Sequence, residues 1–212
     1  MKSIKSEIIY DELLKMYPDA ECELVHHNIY ELAISVILSA QTTDVSVNKI
    51  TPKLFRQYPD IFSLAKANLV DVQKHLKTLG LYRSKAANII AFSQQVVERF
   101  DGSIPNNRLD LMSLPGVGQK TANVILSVGY NEPAIAVDTH VFRVAKRLRL
   151  AYQNDDVLVV EKKLEKKFLK SQWSKLHHLL IFFGRYRCKA KNPQCKDCPF
   201  IDFCYYQKHN AN

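Results

Sequence analysis

The chain has 212 residues, 47% of them hydrophobic and 24% charged, which is ordinary for a globular protein and enough for one large or two small domains with a real core. No apolar run approaches the length of a membrane span: the longest, Leu32 to Ala40, is interrupted by Ser35 and Ser39. The formal net charge of +9, from 30 Lys and Arg against 21 Asp and Glu, points weakly toward a polyanionic partner such as nucleic acid.

Along the chain, helical periodicity dominates. The opening Met1 to Glu7 lacks the apolar stretch of a secretory signal, so a cytoplasmic protein with reduced thiols is expected. Ile29, Leu32, Ala33, Val36 and Ile37 follow the spacing of a buried helical face. A second long helix is predicted from about Ser84 through Val97, a third over Lys120–Gly129 and a fourth over Thr139–Leu148. A fifth is predicted over Val157–Leu169, where the charged periodicity outweighs the β-prone opening, and a sixth over Lys175–Phe183. Pro52, Pro59, Gly80, Gly102, Pro105, Pro115 and Pro133 read as breaks between helices, and Tyr205 to Asn212 as a fraying end. No convincing strand, internal repeat or low-complexity linker appears, and the fold is predicted to be all-α.

Four of the five cysteines, Cys188, Cys195, Cys198 and Cys204, fall in one short segment spaced C-x6-C-x2-C-x5-C. Packing does not need four identical small residues there, whereas a metal centre needs converging thiolates. Zinc sites usually pair two C-x2-C knuckles, and this segment has one; sulfur-only ligation also suits an iron–sulfur cluster, although the common ferredoxin spacings differ. Cys22 reads as a half-buried core residue. Basic residues concentrate in the last third: Lys146, Arg147 and Arg149, then Arg185, Arg187, Lys189, Lys191 and Lys196.

A second segment carries chemistry. Leu114-Pro115-Gly116-Val117-Gly118 reads as a tight turn between two helices, with both glycines able to take positive φ or to let a partner close on the backbone. Gln119-Lys120-Thr121-Ala122 opens the next helix, whose first amides suit a phosphate. Together these read as the helix-hairpin-helix of DNA-binding proteins. Lys120 is a phosphate contact on the plain reading and a nucleophile on the sharper one, in which an uncharged amine attacks a sugar C1′ and forms a Schiff base. Asp138, in Ala136-Val137-Asp138-Thr139-His140, is a helix N-cap on the plain reading and a carboxylate stabilising positive charge on a sugar on the other. The two readings are compatible if each uses a different oxygen. The positive end of a helix disfavours an ammonium and a carboxylate nearby favours it, so the amine is pulled both ways.

These segments together resemble the endonuclease III family of base-excision DNA glycosylases, over roughly residues 25 to 205. Leu38-Ser39-Ala40-Gln41-Thr42-Thr43-Asp44 and Leu79-Gly80-Leu81-Tyr82-Arg83-Ser84-Lys85-Ala86 carry the likeness as well. The resemblance implies a six-helix domain over 23–132 containing the hairpin, and a [4Fe-4S] cluster domain built from 1–22 plus 133–212, flanking a DNA-binding cleft. It implies that Lys120 is the nucleophile and Asp138 the essential carboxylate, and that the four cysteines ligate the cluster. It further implies that Gln41 fills the gap left by an extruded base and that Leu81 wedges the opposite strand, although Gln41 could cap or bridge and Leu81 could be core. Gly116, Gly118, His140, Lys189 and Lys191 are the further DNA-contact candidates. Lysine at position 120 implies a bifunctional enzyme: a monomer that removes oxidised pyrimidines from double-stranded DNA and cleaves the abasic site by β-elimination. The competing expectation is a non-catalytic, zinc-stabilised binder of bent or damaged DNA.

Overall fold

A computed structural model describes residues 6–210; Met1–Lys5 and Ala211–Asn212, the outer parts of the two terminal readings, lie outside the described residues. The described chain is helical throughout, with no strand among the described residues. It divides into two compact units. One is Cys22–Glu132; the other is made of the chain on either side, up to Glu21 and from Pro133.

The Cys22–Glu132 unit holds α2 (Ile29–Leu38), α3 (Asp44–Gln57), α4 (Ile61–Ala65), α5 (Leu69–Leu76), α6 (Tyr82–Phe100), α7 (Arg108–Met112) and α8 (Gln119–Val124). Its helix starts are set by side-chain caps. Asn28, Thr43, Asp60, Asn68 and Asn107 each accept a first-turn backbone N–H, which satisfies a donor that the helix itself leaves unpaired. α2 is buried from Leu32 to Leu38, and α6 packs against α2, α4 and α5 through Ala86, Ile89, Phe92 and Val96. Pro52 is not a break: it lies inside α3, which forgoes one backbone bond there because Val47, Thr51 and Leu54 are buried on either side of it. α8 runs straight into a π-helical turn, Ile125–Gly129.

The second unit holds α1 (Ser6–Met16), α9 (Thr139–Arg147), α10 (Val157–Lys167), α11 (Trp173–Phe182) and α12 (Tyr205–Asn210). α1 brings Ile9 and Leu13 to a core shared with Val141, Val144, Val160, Leu164, Leu176, Leu180, Phe183 and Phe200. The chain after α1 is fastened by Lys175, whose Nζ donates to the carbonyls of Pro18 (2.6 Å) and Ala20 (2.9 Å). Asp156 caps α10 by accepting Val159 N–H at 2.8 Å, which fixes the β-prone valines as a helix start. A second π-helical turn, Phe183–Arg187, continues α11 and delivers Cys188. The carboxyl end does not fray at Tyr205: α12 is held where the Arg147 guanidinium stacks 3.9 Å from the Tyr206 ring and that of Arg149 lies 5.4 Å from Tyr205.

Candidate active site and cysteine loop

In the hairpin, Leu114, Pro115, Gly116 and Val117 form a turn closed by Val117 N–H on the Leu114 carbonyl (3.2 Å), with Pro at its second position and φ +76° at Gly116. That is the type II pattern, which needs glycine third. A side chain on Gly116 would also meet Asn88 and Ile37 at 3.1 Å. Gly118 behaves otherwise. Its φ is −93°, so it does not use the positive φ that its sequence allows, and a Cβ there would meet nothing within 4 Å. The fold therefore leaves Gly118 free to be any residue. Buried Leu111, Leu114 and Val117 anchor the hairpin while Gly116, Gly118 and Lys120 stay exposed. Lys120 is the second residue of α8, a helix with no side-chain cap, and its amine is open to solvent.

Asp138 follows a buried run, Ala134–Val137, and caps α9: its Oδ1 accepts Val141 N–H at 2.8 Å. Its second carboxylate oxygen carries none of that capping bond. Two residues on, His140 Nδ1 lies 3.2 Å from an Arg143 guanidinium nitrogen. The same guanidinium bonds the carbonyls of Gly184 (2.8 Å) and Cys188 (3.1 Å). Gly184 is bare because a Cβ would stand 2.9 Å from that of His140.

Gln41 and Leu81 are exposed, and each holds a left-handed backbone, with φ 53° and 56°. Leu81 is 58% exposed and so is not core. It sits at the N-cap of α6 without capping through its side chain. Behind them is a residue whose place the sequence alone left unread: Lys85, only 4% exposed, donates from Nζ to Thr42 Oγ1. Burial pulls its pKa below the usual lysine value.

The cysteine segment begins at buried Cys188, whose N–H bonds Phe183 O at 2.6 Å. Left-handed Asn192 and Asp197 turn the chain, and Cys198 N–H closes on Cys195 O at 3.1 Å. Cys188, Cys195, Cys198 and Cys204 all line one cavity, walled also by Leu148, Phe183, Phe200 and Ile201. Arg147, 8% exposed, is the inward-facing strut of this loop. It donates to Cys188 Sγ (3.3 Å), Lys189 O (2.8 Å) and Ala190 O (3.3 Å). Arg187 donates to Lys196 O at 2.7 Å. Burial pushes the Cys188 thiol up, and the hydrogen bond and charge of Arg147 pull it down. Lys189 and Lys191 are exposed on the same loop.

A model of the HhH-GPD superfamily of base excision DNA repair proteins matches residues 34–170. Endonuclease III of Bacillus subtilis (strain 168) is 50% identical over 198 residues, spanning 93% of this chain and 90% of that protein. The chain belongs to the endonuclease III family. It is an enzyme of base excision DNA repair. Endonuclease III of Escherichia coli (strain K12) is 41% identical and covers 98% of each chain. A solved trapped endonuclease III–DNA covalent intermediate, with an estranged adenine, is similar at 48% identity and TM-score 0.94 over 97% of each chain. No helix among the described residues is long and apolar enough to cross a membrane.

Within this endonuclease III fold the cysteine cavity presents a soft, sulfur-only donor set of the kind a metal centre takes. Among the described residues no three Cys, His, Asp or Glu side chains gather on one metal position, yet four thiols surround one hollow. The sequence counted Arg147 among the basic residues concentrated in the last third; the structure shows that it faces inward. Its signal was there: His140, Arg143, Val144 and Arg147 share one face of α9 by helical spacing. Lys85 had a signal too, since it lies four residues before Ile89, on the apolar stripe of α6.

Proposed function

We propose that the protein removes oxidised pyrimidines, thymine glycol among them, from damaged double-stranded DNA and then cleaves the resulting abasic site by β-elimination. One observation carries this reading: a solvent-open Lys120, in the first turn of the hairpin helix, in a chain 48% identical to an enzyme trapped covalently on DNA.

In the proposed reaction the damaged nucleotide leaves the stack, because its glycosidic bond cannot be reached inside a duplex. Gln41 fills the gap and Leu81 wedges the opposite strand, replacing part of the lost stacking. Uncharged Lys120 Nζ forms a bond to C1′ while the C1′–N bond breaks and the base leaves with that electron pair, to be protonated. Asp138 keeps Oδ1 on the cap of α9 and turns its other oxygen to the positive charge developing on the sugar. Ring opening gives the imine; loss of a C2′ proton then breaks the C3′–O bond and releases the strand. Gly116 and Gly118 admit the phosphate backbone, His140 lines the pocket, and Lys189 and Lys191 contact phosphates. Cys188, Cys195, Cys198 and Cys204 would hold a [4Fe-4S] cluster, whose contribution when bound is to pin the loop bearing those lysines.

Borohydride reduction during turnover tests the reading. A covalent protein–DNA adduct is expected with the wild type and none with Lys120→Ala. DNA binding without nicking or adduct, from a colourless preparation, would overturn it in favour of a zinc-stabilised binder; a brown preparation is expected. Lys189→Ala should lower the slope of log affinity on log salt by about 0.9.

A further inference from the structure

Lys85 is buried without the compensation such a charge usually has. Among the described residues no carboxylate pairs with it, and its side chain makes one hydrogen bond, to Thr42 Oγ1. Thr42 Oγ1 in turn donates to the Ala40 carbonyl at 3.4 Å, so its hydroxyl bridges the residues on either side of Gln41. At its other end, the backbone N–H of Lys85 bonds the carbonyl of Leu81 at 3.0 Å. Lys85 thus sits in the first turn of α6, bonded to Leu81 by the ordinary helical backbone bond, while its side chain reaches Thr42, the residue that follows Gln41. Gln41 and Leu81 both hold non-glycine left-handed backbones, a conformation which persists only where the surroundings over-determine it. An apolar residue of similar length would be easier to bury at this point. Stability does not explain the lysine; geometry does.

We propose that Lys85 is a positioning residue for nucleotide extrusion, a brace that locks the Gln41 tip to the Leu81 tip so that both side chains enter the duplex on one rigid frame. This rests on the glycosylase and lyase reading above. The brace matters most where a base must be pulled from an intact stack. It matters less at a preformed abasic site, which has no base to unstack.

The experiment compares single-turnover excision of thymine glycol with β-elimination at a preformed abasic site, using full-length holoenzyme. Lys85→Met should slow excision about 10- to 100-fold and abasic cleavage by less than about 3-fold, the selective loss expected when only extrusion is weakened. Thr42→Val, which removes the acceptor with little change of shape, should show the same selective loss. The double variant should be no worse than the poorer single one, because both remove one contact. Thr42→Ser, which keeps the hydroxyl, should restore the wild-type ratio. Fluorescence of 2-aminopurine opposite the lesion should report reduced wedging in Lys85→Met and Thr42→Val alike. Equal loss on the two substrates, no loss on either, or additive effects in the double variant would overturn the brace. A wild-type protein that fails on both substrates would instead overturn the activity on which the brace rests.

Discussion

The two units of this protein each bury a basic side chain, and they do so in opposite ways. In the cysteine-bearing unit, Arg147 is enclosed with three acceptors, two of them carbonyls of the cysteine loop and one a cysteine sulfur. In the Cys22–Glu132 unit, Lys85 is enclosed more tightly, at 4% exposed against 8%, with one neutral hydroxyl as its acceptor. A guanidinium with several fixed acceptors replaces most of the hydration it gives up, and a lone ammonium does not. The first residue therefore holds a loop together at a net gain, while the second holds a geometry at a net cost. The contrast separates a structural cation from a functional one without reference to either residue's distance from the chemistry.

The comparison breaks first, and most strongly, at Arg147. Arg147→Met should leave the carbonyls of Lys189 and Ala190 without their donor and lower stability by about 3 kcal/mol, the loss of charge-assisted hydrogen bonds. A lower urea midpoint and faster proteolysis between Cys188 and Cys195 would register it. A midpoint equal to the wild type would remove Arg147 from the structural side of the contrast.

The same unit offers a third way to bury a base, which is to leave it uncharged. His178 lies against His177, with ring centroids 4.8 Å apart, and burial, then His177, then Lys175 lower its pKa from 6.5 to about 3. The unfolded chain thus binds a proton below about pH 6.5 that the folded chain refuses until about pH 3, so stability falls as pH falls through that window. Between pH 7 and pH 5 the loss from this one group is about 2 kcal/mol, the unfolded imidazole being nearly saturated at the lower pH. His178→Gln should flatten that part of the pH–stability profile. A profile unchanged by the substitution would show that the imidazole is hydrated and not buried neutral.

Much of this was legible in sequence, for identifiable reasons. Local chemistry announces itself: Leu-Pro-Gly-Val reads as a tight turn and is one, Asp138 before Thr139 reads as a cap and is one, and the clustered cysteines, read as converging, line one cavity. What stayed hidden depends on contacts between distant residues. Lys85 meets Thr42 across 43 positions and Arg147 meets Ala190 across the same separation, and no periodicity encodes either pairing. Pro52 was hidden likewise, since only packing on both sides lets a helix carry a proline. Gly118 was half legible. Its glycine was noted, but the fact that the fold does not need it emerges only from its extended backbone and the open space around it.

That half-legible pair gives the next prediction. Gly116→Ala must place a Cβ at φ +76° and 3.1 Å from Asn88 and Ile37, at an expected cost of about 1–2 kcal/mol. Gly118→Ala should leave stability within about 0.5 kcal/mol, while weakening binding to abasic DNA. Equal destabilisation by the two substitutions would mean that both glycines are structural.

The smallest effect is the most telling, because its sign is reversed. Lys85→Met exchanges a buried ammonium lacking a counter-charge for an apolar chain of similar length on the apolar stripe of α6. The lost bond to Thr42 leaves behind a hydroxyl that is only partly buried, so little is stranded. The variant should be as stable as the wild type or more stable by about 1 kcal/mol, and Arg147→Met, of the same chemistry in the other unit, should move the opposite way. Denaturant midpoints measured side by side decide it. A Lys85→Met protein destabilised as much as Arg147→Met would mean that this lysine, too, is a strut of the fold; the slower base excision expected of the variant would then follow from a loosened body and not from a missing brace.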